Sequence, residues 1–506
     1  WAIALISLRF FGIPTHQGAI CLGVIFSIGS LAISFFFLYK TFQKRVFILP
    51  VILIPNLGYR DFSTSGLEFP LTFLLLSIFF YNVIGKEIHN KLSAFSILAL
   101  LYLTRPEFGL FLIYYGFIYC AKATKERDKK SIFQICAPIL LLAGGYHLFR
   151  FLYYGDIFPN TYYAKSGGDS NYLQGLKYLS HTIRYSPLVA PFFLLFLLSI
   201  HRILKNESAL GKYILRDFLA FIVLIFYIVR VGGDFMAFRL LLPSIAIFAM
   251  IVQFYLNKWW SLKNFSDNKT IALNSFLLVL SLYTMFYSRK IPIIEDFIVN
   301  ERLIFTRELN QGFSSRFKEI RYPWYLEGLK VRDLASCLKY ENFVITNSIG
   351  NAKCATGLGL GYYSVAAGTD VVLIDELGLT DKYIAKQKRL ENFRPGHERV
   401  VGLDYLVERG TLFCSLNNAE YDDVMKTRFG VIINLSPEFL FRLGKSEYLK
   451  RIGKLKELFL KTRYANDEKG KEIHRWLLRL EERYKMKIID LPDSVPKEFE
   501  NFEKCW

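Results

Sequence analysis

The 506-residue chain is 53% hydrophobic and 17% aromatic, and its formal net charge is +19. A mean hydropathy of +0.27 is too high for a soluble protein, while 21% charged residues are too many for a chain that lies wholly in a membrane. The basic balance needs no nucleic-acid partner, because Lys- and Arg-rich loops that face anionic lipid account for much of it.

The apolar runs stop near Tyr287, and the density of charged residues rises after it. We predict a multi-span membrane core over 1–288 and a soluble domain over 289–506, which is long enough to bury its own core. Residues 1–11 are apolar but shorter than the roughly 20 helical residues that cross a bilayer, so we expect them at the membrane surface. Because the chain starts at Trp1 without a methionine or a signal segment, we expect a truncated N-terminus.

The first run long enough to cross a bilayer is 17–39, and the basic residues after it place that end in the cytoplasm. Further apolar runs then alternate in direction, at 46–58, 67–85, 92–104, 107–121, 131–152, 187–203, 215–230, 238–257 and 270–288. The loops at 40–45, 86–91, 122–130, 202–216 and 258–269 hold far more Lys and Arg than acids, and all five fall on one side. The pattern predicts ten spans, with residues 289–506 outside the cytoplasm.

The stretch Thr104-Arg105-Pro106-Glu107 separates two short apolar arms whose outer flanks are both basic. The arms must therefore cross in opposite directions, and each reaches only about 20 Å at about 1.5 Å per residue. We expect the turn to lie below the outer surface in a cavity lined by water or protein, because lipid would not accept its charges. Arg105 and Glu107 are functional candidates there, and a mutual structural ion pair is the alternative.

A polar segment at 58–68 carries two acids, Asp61 and Glu68, just before the next predicted helix. Both are candidates for a site on the outer side. In the alternative interpretation, Ser63 or Thr64 caps that helix and the acids only lie near its positive end, with no chemistry involved.

Two further polar inserts follow apolar runs, at 153–165 and at 230–239. Tyrosine is typical of the boundary between lipid and water, and Gly155 and Pro159 break any helix, so the first insert is expected on irregular backbone at the membrane rim. The alternative is a solvated loop with a tyrosine belt. The inserts supply Tyr154, Asp156, Asn160, Tyr163 and Lys165 from the first, and Arg230, Asp234, Phe235 and Arg239 from the second. Two such polar inserts on the same side of the membrane favour a functional site there.

In the soluble part, 342–346 and 371–374 are short β-rich runs, while 440–461 and 467–487 have helical periodicity. We therefore predict an α/β fold. The Gly-rich stretch at 347–361 does not have the G-x-G-x-x-G spacing, so we do not predict a dinucleotide site.

Five motifs occur in a recognisable order: YRDFSTSGLE at 59–68, LTRPE at 103–107, YYGDIFPNTYYAK at 153–165, RVGGDFMAFRLLLP at 230–243 and VVLIDELGLTDKYIAK at 371–386. Over about residues 1–410 the chain resembles the polyprenyl-phosphate-sugar-dependent GT-C glycosyltransferases, in particular the terminal β-(1→2)-arabinofuranosyltransferases of the mycolic-acid bacterial cell wall. The resemblance implies a polytopic α-helical membrane protein of GT-C type with a C-terminal extracytoplasmic α/β domain, in the bacterial cytoplasmic membrane. Those enzymes tend to have His-Gly where this chain has Ala237-Phe238, which leaves the sugar undecided.

The resemblance implies inverting transfer of a sugar from a polyprenyl-phosphate donor to an envelope glycan acceptor. A carboxylate must take the proton of the acceptor hydroxyl, and cations must stabilise the departing phosphate. In the family, the acid regarded as catalytic lies on a first loop that would precede Trp1, and within this chain Asp61 and Asp156 are the candidates. The candidates for the donor phosphate are Arg105, Lys165, Arg230 and Arg239. The candidates for sugar binding are Glu68, Glu107, Tyr154, Asn160, Tyr163, Asp234 and Phe235.

No metal site or other cofactor is predicted, although a divalent ion is left open. The expected partners are the lipid-linked sugar donor, the glycan acceptor and the bilayer. The first alternative function is a transporter or flippase of a lipid-linked saccharide, but such proteins usually carry internal repeats and a site near the membrane midplane. The second is a non-catalytic envelope scaffold whose soluble domain binds glycan.

Overall fold

The computed structural model describes residues 1–165, 170–206, 210–263, 265–287, 292–303, 325–326, 328–329, 332–333, 343–346, 360–368, 371–375, 377–388, 399, 445–468, 470–471, 473–475, 477–478 and 487–490. The chain divides into two compact units. The first comprises Trp1–Pro159 and Gly168–Asn310, and the second comprises Asn160–Gly167 and Gln311–Trp506. The domain boundary at 288 stays a prediction from the sequence.

The first unit is built from helices. In chain order the helices up to residue 287 are α1 Ala2–Phe10, α2 Thr15–Thr41, α3 Leu49–Leu53, α4 Leu57–Ser63, α5 Phe69–Val83, α6 Lys91–Thr104, α7 Gly109–Lys125, α8 Lys129–Pro138, α9 Gly145–Tyr154, α10 Asn160–Lys165, α11 Tyr172–Arg184, α12 Val189–Asn206, α13 Gly211–Arg230, α14 Leu242–Leu262 and α15 Asp267–Tyr287. Of these, α10 belongs to the second unit. A 3₁₀ turn at Pro106–Phe108 follows α6, and a π-helical turn at Ile139–Gly144 joins α8 to α9. An antiparallel hairpin of β1 Ile294–Glu295 and β2 Ile298–Val299 completes the unit.

Four helices in the described part of the chain are long and apolar enough to cross a membrane, namely α2, the continuous α8–α9 run, α14 and α15. Helices α11 and α12 pass the same test only together, and they are bent by 91°. The ten predicted spans are thus not ten regular crossings, since α5 has 15 residues and α6 has 14. The apolar helices are those of a polytopic membrane protein.

The segment predicted as a span at 46–58 is not one helix, and that prediction was wrong. Pro50 and Pro55 interrupt it, and the chain instead runs through irregular backbone at 45–48 into the short helices α3 and α4. Three amide side chains of α14 and α15 replace the missing helical hydrogen bonds. Gln253 accepts from the N–H groups of Ile48 and Leu49 at 2.7 and 2.8 Å, Asn257 accepts from Val46 N–H at 2.8 Å, and Asn274 accepts from Phe47 N–H at 3.0 Å. Irregular backbone is tolerated at membrane depth only when protein supplies such partners.

We expect Gln253→Leu to lower the free energy of unfolding by about 2–5 kcal/mol, because it leaves two buried N–H groups without an acceptor. The measurement is the thermal unfolding midpoint in detergent. Asn268→Leu, at an exposed position of α15, is the matched control and should change stability by less than about 0.5 kcal/mol. Equal midpoints for the two variants would show that the amide contacts do not hold this segment.

Helix α14 forms the centre of the first unit. Each of its residues from Leu242 to Asn257 is buried, and it packs against α3, α5, α12 and α13. Aromatic side chains fill much of the surrounding core, and Phe248 stacks near Phe193 and Phe221. The part of the predicted run 238–257 that lies in α14 is therefore an interior helix, whereas most of the apolar surface of α2 and α9 faces outward.

The two ends of the helix bundle differ in charge. Helices α5 and α14 begin at the end where α6 and α13 finish, and this end carries partly buried arginine–carboxylate pairs. At the other end Glu87 lies 3.4 Å from Lys122 and 3.5 Å from Lys212, and Lys44 lies 3.4 Å from Asp267. The lysine-rich end corresponds to the loops predicted to face the cytoplasm. The orientation in the membrane stays a prediction.

The second unit contains a parallel pair of strands. Strand β3 Phe343–Thr346 pairs with β4 Val371–Ile374 from Phe343↔Val371 to Thr346↔Ile374. The helices α16 Leu360–Ala367, α17 Lys382–Ala385 and α18 Lys445–Thr462 are also described. Both predicted strands and the helix predicted at 440–461 are confirmed where they are described. In the helix predicted at 467–487, the described residues between 468 and 478 are helical. The Gly-rich residues 347–359 lie outside the described part.

Candidate functional site

Arg105 lies at the centre of a charged cluster where α6 ends. Pro106 disfavours helical backbone at the residue before it, and Arg105 accordingly adopts φ −146° and ψ 117°. Its guanidinium group stacks 4.2 Å from the ring centre of Phe69 and is nearly excluded from solvent. Its Nη1 donates to Oε1 of Glu68 at 3.0 Å, and Nε donates to Glu107. The mutual ion pair considered for Arg105 and Glu107 is therefore present, with Glu68 as a third member.

Glu68 occupies the N-cap position of α5, but its side chain does not cap the helix. The suggestion that Ser63 or Thr64 caps α5 was wrong. Ser63 Oγ donates to the carbonyl of Tyr59 at 2.7 Å, and Thr64 Oγ1 accepts from Arg302 at 2.8 Å. The carboxylate of Glu68 is thus directed to Arg105 rather than to the N–H groups of its own helix.

The second insert folds around Asp234. Gly232 and Gly233 have φ of +89° and +72°, and a Cβ on Gly233 would lie 2.4 Å from Cγ of Tyr178. Only glycine fits this approach without a clash, and it turns the chain so that Asp234 is buried. Asp234 accepts from the N–H of Phe235 at 2.9 Å and lies 3.1 Å from Nε of Arg239. Asp234 and Arg239 therefore form a second ion pair, in which the aspartate is buried and the arginine is partly exposed.

Tyr178 of α11 fixes this loop to the helices. Its hydroxyl group donates to the carbonyl of Met236 at 2.9 Å and accepts from the N–H of Leu240 at 3.1 Å. The ring is fully buried. Helix α11 was missed by the sequence analysis, which considered only longer apolar runs, although Tyr178, His181 and Thr182 recur at helical spacing along its buried face.

The charge of Arg239 links the two pairs. Burial alone would lower the pKa of Arg239, but the carboxylates of Asp234, Glu68 and Glu301 raise it on balance. Acids from three different segments therefore stabilise the positive charge of Arg239. Glu68 belongs both to this set and to the Arg105 pair, so the two pairs form one cluster.

Glu301 and Arg302 are site residues that the sequence analysis did not identify. They follow the β1–β2 hairpin, which is held by hydrogen bonds between Val299 N–H and the carbonyl of Phe235 at 2.6 Å and between Ala237 N–H and the carbonyl of Val299 at 3.0 Å. Arg302 Nε lies 3.3 Å from Oδ1 of Asp61. Asp61 thereby joins the cluster through a residue 241 positions away in sequence.

Asp61 has an unusual protonation equilibrium for a carboxyl group. Burial raises its pKa to about 6, although the nearby charges of Arg302 and Arg60 act in the opposite direction. At neutral pH the group is charged, yet it binds a proton more readily than an ordinary aspartate. These are the properties of a proton acceptor.

The cluster as a whole has no excess of positive charge. Its carboxylates are Asp61, Glu68, Glu107, Asp234 and Glu301, and its arginines are Arg60, Arg105, Arg239 and Arg302. Carboxylates next to guanidinium groups can accept hydrogen bonds from sugar hydroxyls and can accept a proton. A phosphate group would have to compete with these carboxylates for Arg105 and Arg239.

The other predicted residues of the first unit lie in different settings. Tyr154 ends α9 and is exposed, and the half-buried Asp156 follows in a loop whose carbonyls at Ile157 and Phe158 accept hydrogen bonds from His147 and Arg150 of α9. Phe235 lies directly after Asp234, and Arg230 is exposed at the end of α13. Of the four residues expected to converge, Arg105 and Asp234 lie in ion pairs that interact electrostatically through Glu68 and Arg239, and Asp61 pairs with Arg302, which follows Glu301. Their convergence on one cavity stays a prediction, and so does the convergence of Asp156 with them.

Asn160, Tyr163 and Lys165 lie on α10 in the second unit. Lys386 lies 4.6 Å from the ring centre of Tyr163, and the Tyr163 carbonyl accepts from Arg399 at 2.6 Å. The Lys165 side chain is outside the described set. The polar insert at 153–165 is thus divided between the two units after Pro159.

Two curated proteins are similar to the chain, and both are named terminal beta-(1->2)-arabinofuranosyltransferase. The protein from Corynebacterium glutamicum is 24% identical over 445 residues, which cover 72% of this chain and 62% of the relative. The protein from Mycobacterium tuberculosis is 24% identical over 441 residues, which cover 72% of this chain and 68% of the relative. The chain thus spans less than two thirds of the first of these proteins. No family model matches, and no solved structure gives a significant match. The likeness and the apolar helices together support a membrane protein related to glycosyltransferases.

Proposed function

We propose that the protein transfers a sugar from a polyprenyl-phosphate donor to an envelope glycan acceptor at the outer face of the bacterial cytoplasmic membrane. The observation that carries the proposal is the cluster of Asp61, Glu68, Arg105, Asp234 and Arg239 at one end of a bundle of apolar helices. The sugar suggested by the similar proteins is arabinofuranose. The reaction class is that of the GT-C enzymes.

The position of the cluster suits a lipid-linked donor. The isoprenoid chain of such a donor stays in the bilayer, while its phosphate and sugar lie at the membrane surface. A transferase for this substrate therefore needs its reactive groups at the ends of its spanning helices. Here α5 and α14 begin, and α6 and α13 end, at the charged cluster.

In the proposed reaction, the oxygen of an acceptor hydroxyl group attacks the anomeric carbon of the donor sugar. The bond between that carbon and the phosphate oxygen breaks, and the electron pair leaves with the polyprenyl phosphate. Direct displacement inverts the anomeric centre. The hydroxyl proton passes to a carboxylate, and of the two candidates in this chain we favour Asp61, because its pKa of about 6 suits a base at neutral pH.

The remaining groups have supporting roles. Glu68, Glu107 and Asp234 are placed to accept hydrogen bonds from sugar hydroxyls while their arginine partners hold them in position. Phe235 offers an aromatic face next to Asp234. Arg230 is exposed at the end of α13 and remains a candidate for the donor phosphate. The proposal includes no cofactor, and transfer in the presence of EDTA tests the need for a divalent ion.

The function is tested by incubating the purified protein in liposomes with radiolabelled polyprenyl-phosphate pentoses and hexoses and an envelope glycan. We expect label to enter the glycan, and we expect Asp234→Asn to reduce this transfer by about tenfold to a hundredfold, because it removes one charged partner of Arg239. Asp267→Asn, an exposed acid at the opposite end of the bundle, is the matched control and should transfer at the wild-type rate. Movement of the lipid-linked saccharide across the vesicle membrane without transfer would instead support the transporter alternative.

A further inference from the structure

A second polar group of residues lies at the end of α9, outside the acidic cluster. It consists of Tyr102 from α6 and of Tyr146, His147, Arg150 and Tyr154 from α9. Helix α9 has no buried residue and is the last part of a 26-residue apolar run. Leu148 and Leu152 are 59% and 73% exposed. An arginine and a histidine thus lie on a helix whose surroundings are apolar.

Hydrogen bonds hold both side chains in fixed positions. His147 Nδ1 lies 3.1 Å from the carbonyl of Ile157, and Nε2 is hydrogen-bonded to the Tyr102 hydroxyl group. Because a carbonyl can only accept, Nδ1 carries the proton, and in the neutral ring the Tyr102 hydroxyl donates to Nε2. Arg150 donates from Nε to the Ile157 carbonyl at 3.3 Å and from Nη2 to the Phe158 carbonyl at 3.1 Å.

Within the described part of the chain, no carboxylate pairs with Arg150, in contrast to the arginines of the acidic cluster. Arg105, Arg239 and Arg302 each lie against a carboxylate. Within the described part of the chain, Arg150 contacts only carbonyls, the Tyr146 hydroxyl at 3.5 Å and the aromatic rings of Tyr146 and Tyr154. A guanidinium group has five N–H donors, so donors remain for an additional ligand. An uncompensated arginine beside lipid is costly unless an anion or water accompanies it.

We propose that Arg150, with Tyr102, Tyr146 and His147 around it, binds the phosphate group of a membrane lipid. Arg150 lies four residues from the end of its helix, which is about 6 Å at about 1.5 Å per residue. This depth matches a headgroup phosphate at the membrane surface, and the adjoining exposed leucines suit a lipid chain. A guanidinium group with free donors binds phosphate in preference to neutral groups.

The position of the site connects it to the acidic cluster. Tyr102 lies three residues before Arg105, and its ring packs against the backbone of Gly109 at the start of α7. Tyr102 thus joins the site to the segment that carries Arg105, and we extend the proposal to a donor whose phosphate binds Arg150 while its sugar reaches the acidic cluster. This step rests on the proposed function, because it takes the lipid to be the polyprenyl phosphate. The presence of a lipid phosphate site does not depend on it.

The competing interpretation is that Arg150 and His147 only anchor the loop after α9. Their hydrogen bonds to Ile157 and Phe158 would then be their whole role. The two interpretations differ in what the charge of Arg150 does. An anchor needs the hydrogen-bond donors alone, whereas a phosphate site also needs the positive charge.

The experiment measures lipid binding by the whole protein in neutral nanodiscs, without acceptor or turnover, by native mass spectrometry. The probes are polyprenyl phosphate, phosphatidylglycerol and inorganic phosphate. We expect Arg150→Gln to weaken binding of polyprenyl phosphate by about tenfold to a hundredfold, and Arg150→Lys to retain part of the affinity. Arg9→Gln, an exposed arginine on α1, controls for loss of general surface charge and should bind as the wild type does. Amide hydrogen exchange at 155–158 reports whether each variant still holds the loop.

The outcomes separate the interpretations. Weaker binding by Arg150→Gln with unchanged exchange at 155–158 supports the phosphate site. Wild-type affinity in Arg150→Gln overturns it, and so does displacement of the lipid by inorganic phosphate at equal concentration. If phosphatidylglycerol binds as tightly as polyprenyl phosphate and with the same dependence on Arg150, the lipid site stands but its link to the donor fails. Binding with no sugar transfer would count against the proposed function and not against the site.

Discussion

Replacing Asp61 by asparagine is expected to lower the rate of sugar transfer by about 10²–10⁴-fold, the usual effect of removing a general base. Asparagine keeps the size and much of the hydrogen bonding of the side chain but cannot accept the acceptor's proton. The nearby Arg302 and Thr64 should keep the residue in place, so binding of donor is expected to change little. The measurement is the initial rate of label transfer at saturating donor.

The pH dependence gives a sharper test of the same role. A base must be deprotonated, so the rate should rise with pH through about 6, the pKa of Asp61. The positive charge of Arg302 lowers the pKa of Asp61. Arg302→Gln should therefore shift the pH range in which the rate rises to higher pH. As the control, Lys177→Gln removes an exposed partner of Asp296 and should leave the pH dependence of the rate unchanged. Full activity in Asp61→Asn would exclude this residue as the base and leave Asp156 as the candidate in this chain.

Features that depend on nearby residues could be predicted from the sequence. The turn at Arg105 follows from the proline after it. Gly232 and Gly233 adopt the positive φ angles that turn the chain and bury Asp234. The strand pair β3–β4 matches two runs of β-branched residues. In each case the local chemistry and the tertiary structure require the same conformation, so a short window of sequence is sufficient.

The pairing of Asp61 with Arg302 could not be predicted in this way. Both residues lie in ordinary polar segments, and neither has a spacing that indicates its partner. The same is true of Gln253, Asn257 and Asn274, which read as polar interruptions of apolar helices. Their function becomes visible only when the irregular segment at 45–48 is found against them. Hydropathy patterns report where a helix is apolar, but they do not report which backbone its few polar groups serve.

The backbone of Phe238 is in an unusual conformation that the surrounding packing accommodates. Phe238 has φ of +66°, in a region that favours glycine. Its ring is buried, and a Cβ on Gly58 would lie 2.6 Å from Cβ of Phe238. The absent side chain at Gly58 provides the room for the phenylalanine. The strained backbone at Phe238 is thus combined with close packing of its side chain against α4.

Replacing Arg105 by methionine is expected to lower the free energy of unfolding by about 3–5 kcal/mol, because it leaves the carboxylates of Glu68 and Glu107 without their cation. Glu107 is the more strongly affected, since only 9% of its side chain is exposed. The stability is measured by denaturation in mixed micelles. Lys177→Met removes an exposed cation and should cost less than about 1 kcal/mol.

A second substitution distinguishes loss of the ion pair from loss of packing against Phe69. If the destabilisation comes from an unpaired buried charge, adding Glu107→Gln to Arg105→Met should recover part of the lost stability, because the neutral amide needs no cation. If the loss comes from packing, the double variant should be no more stable than Arg105→Met alone. Arg105→Lys keeps the positive charge but loses the planar set of N–H donors that contacts two carboxylates. Its stability should therefore lie between those of the wild type and Arg105→Met. That order of stabilities would identify charge compensation, rather than side-chain volume, as the reason this turn can remain buried at the end of α6.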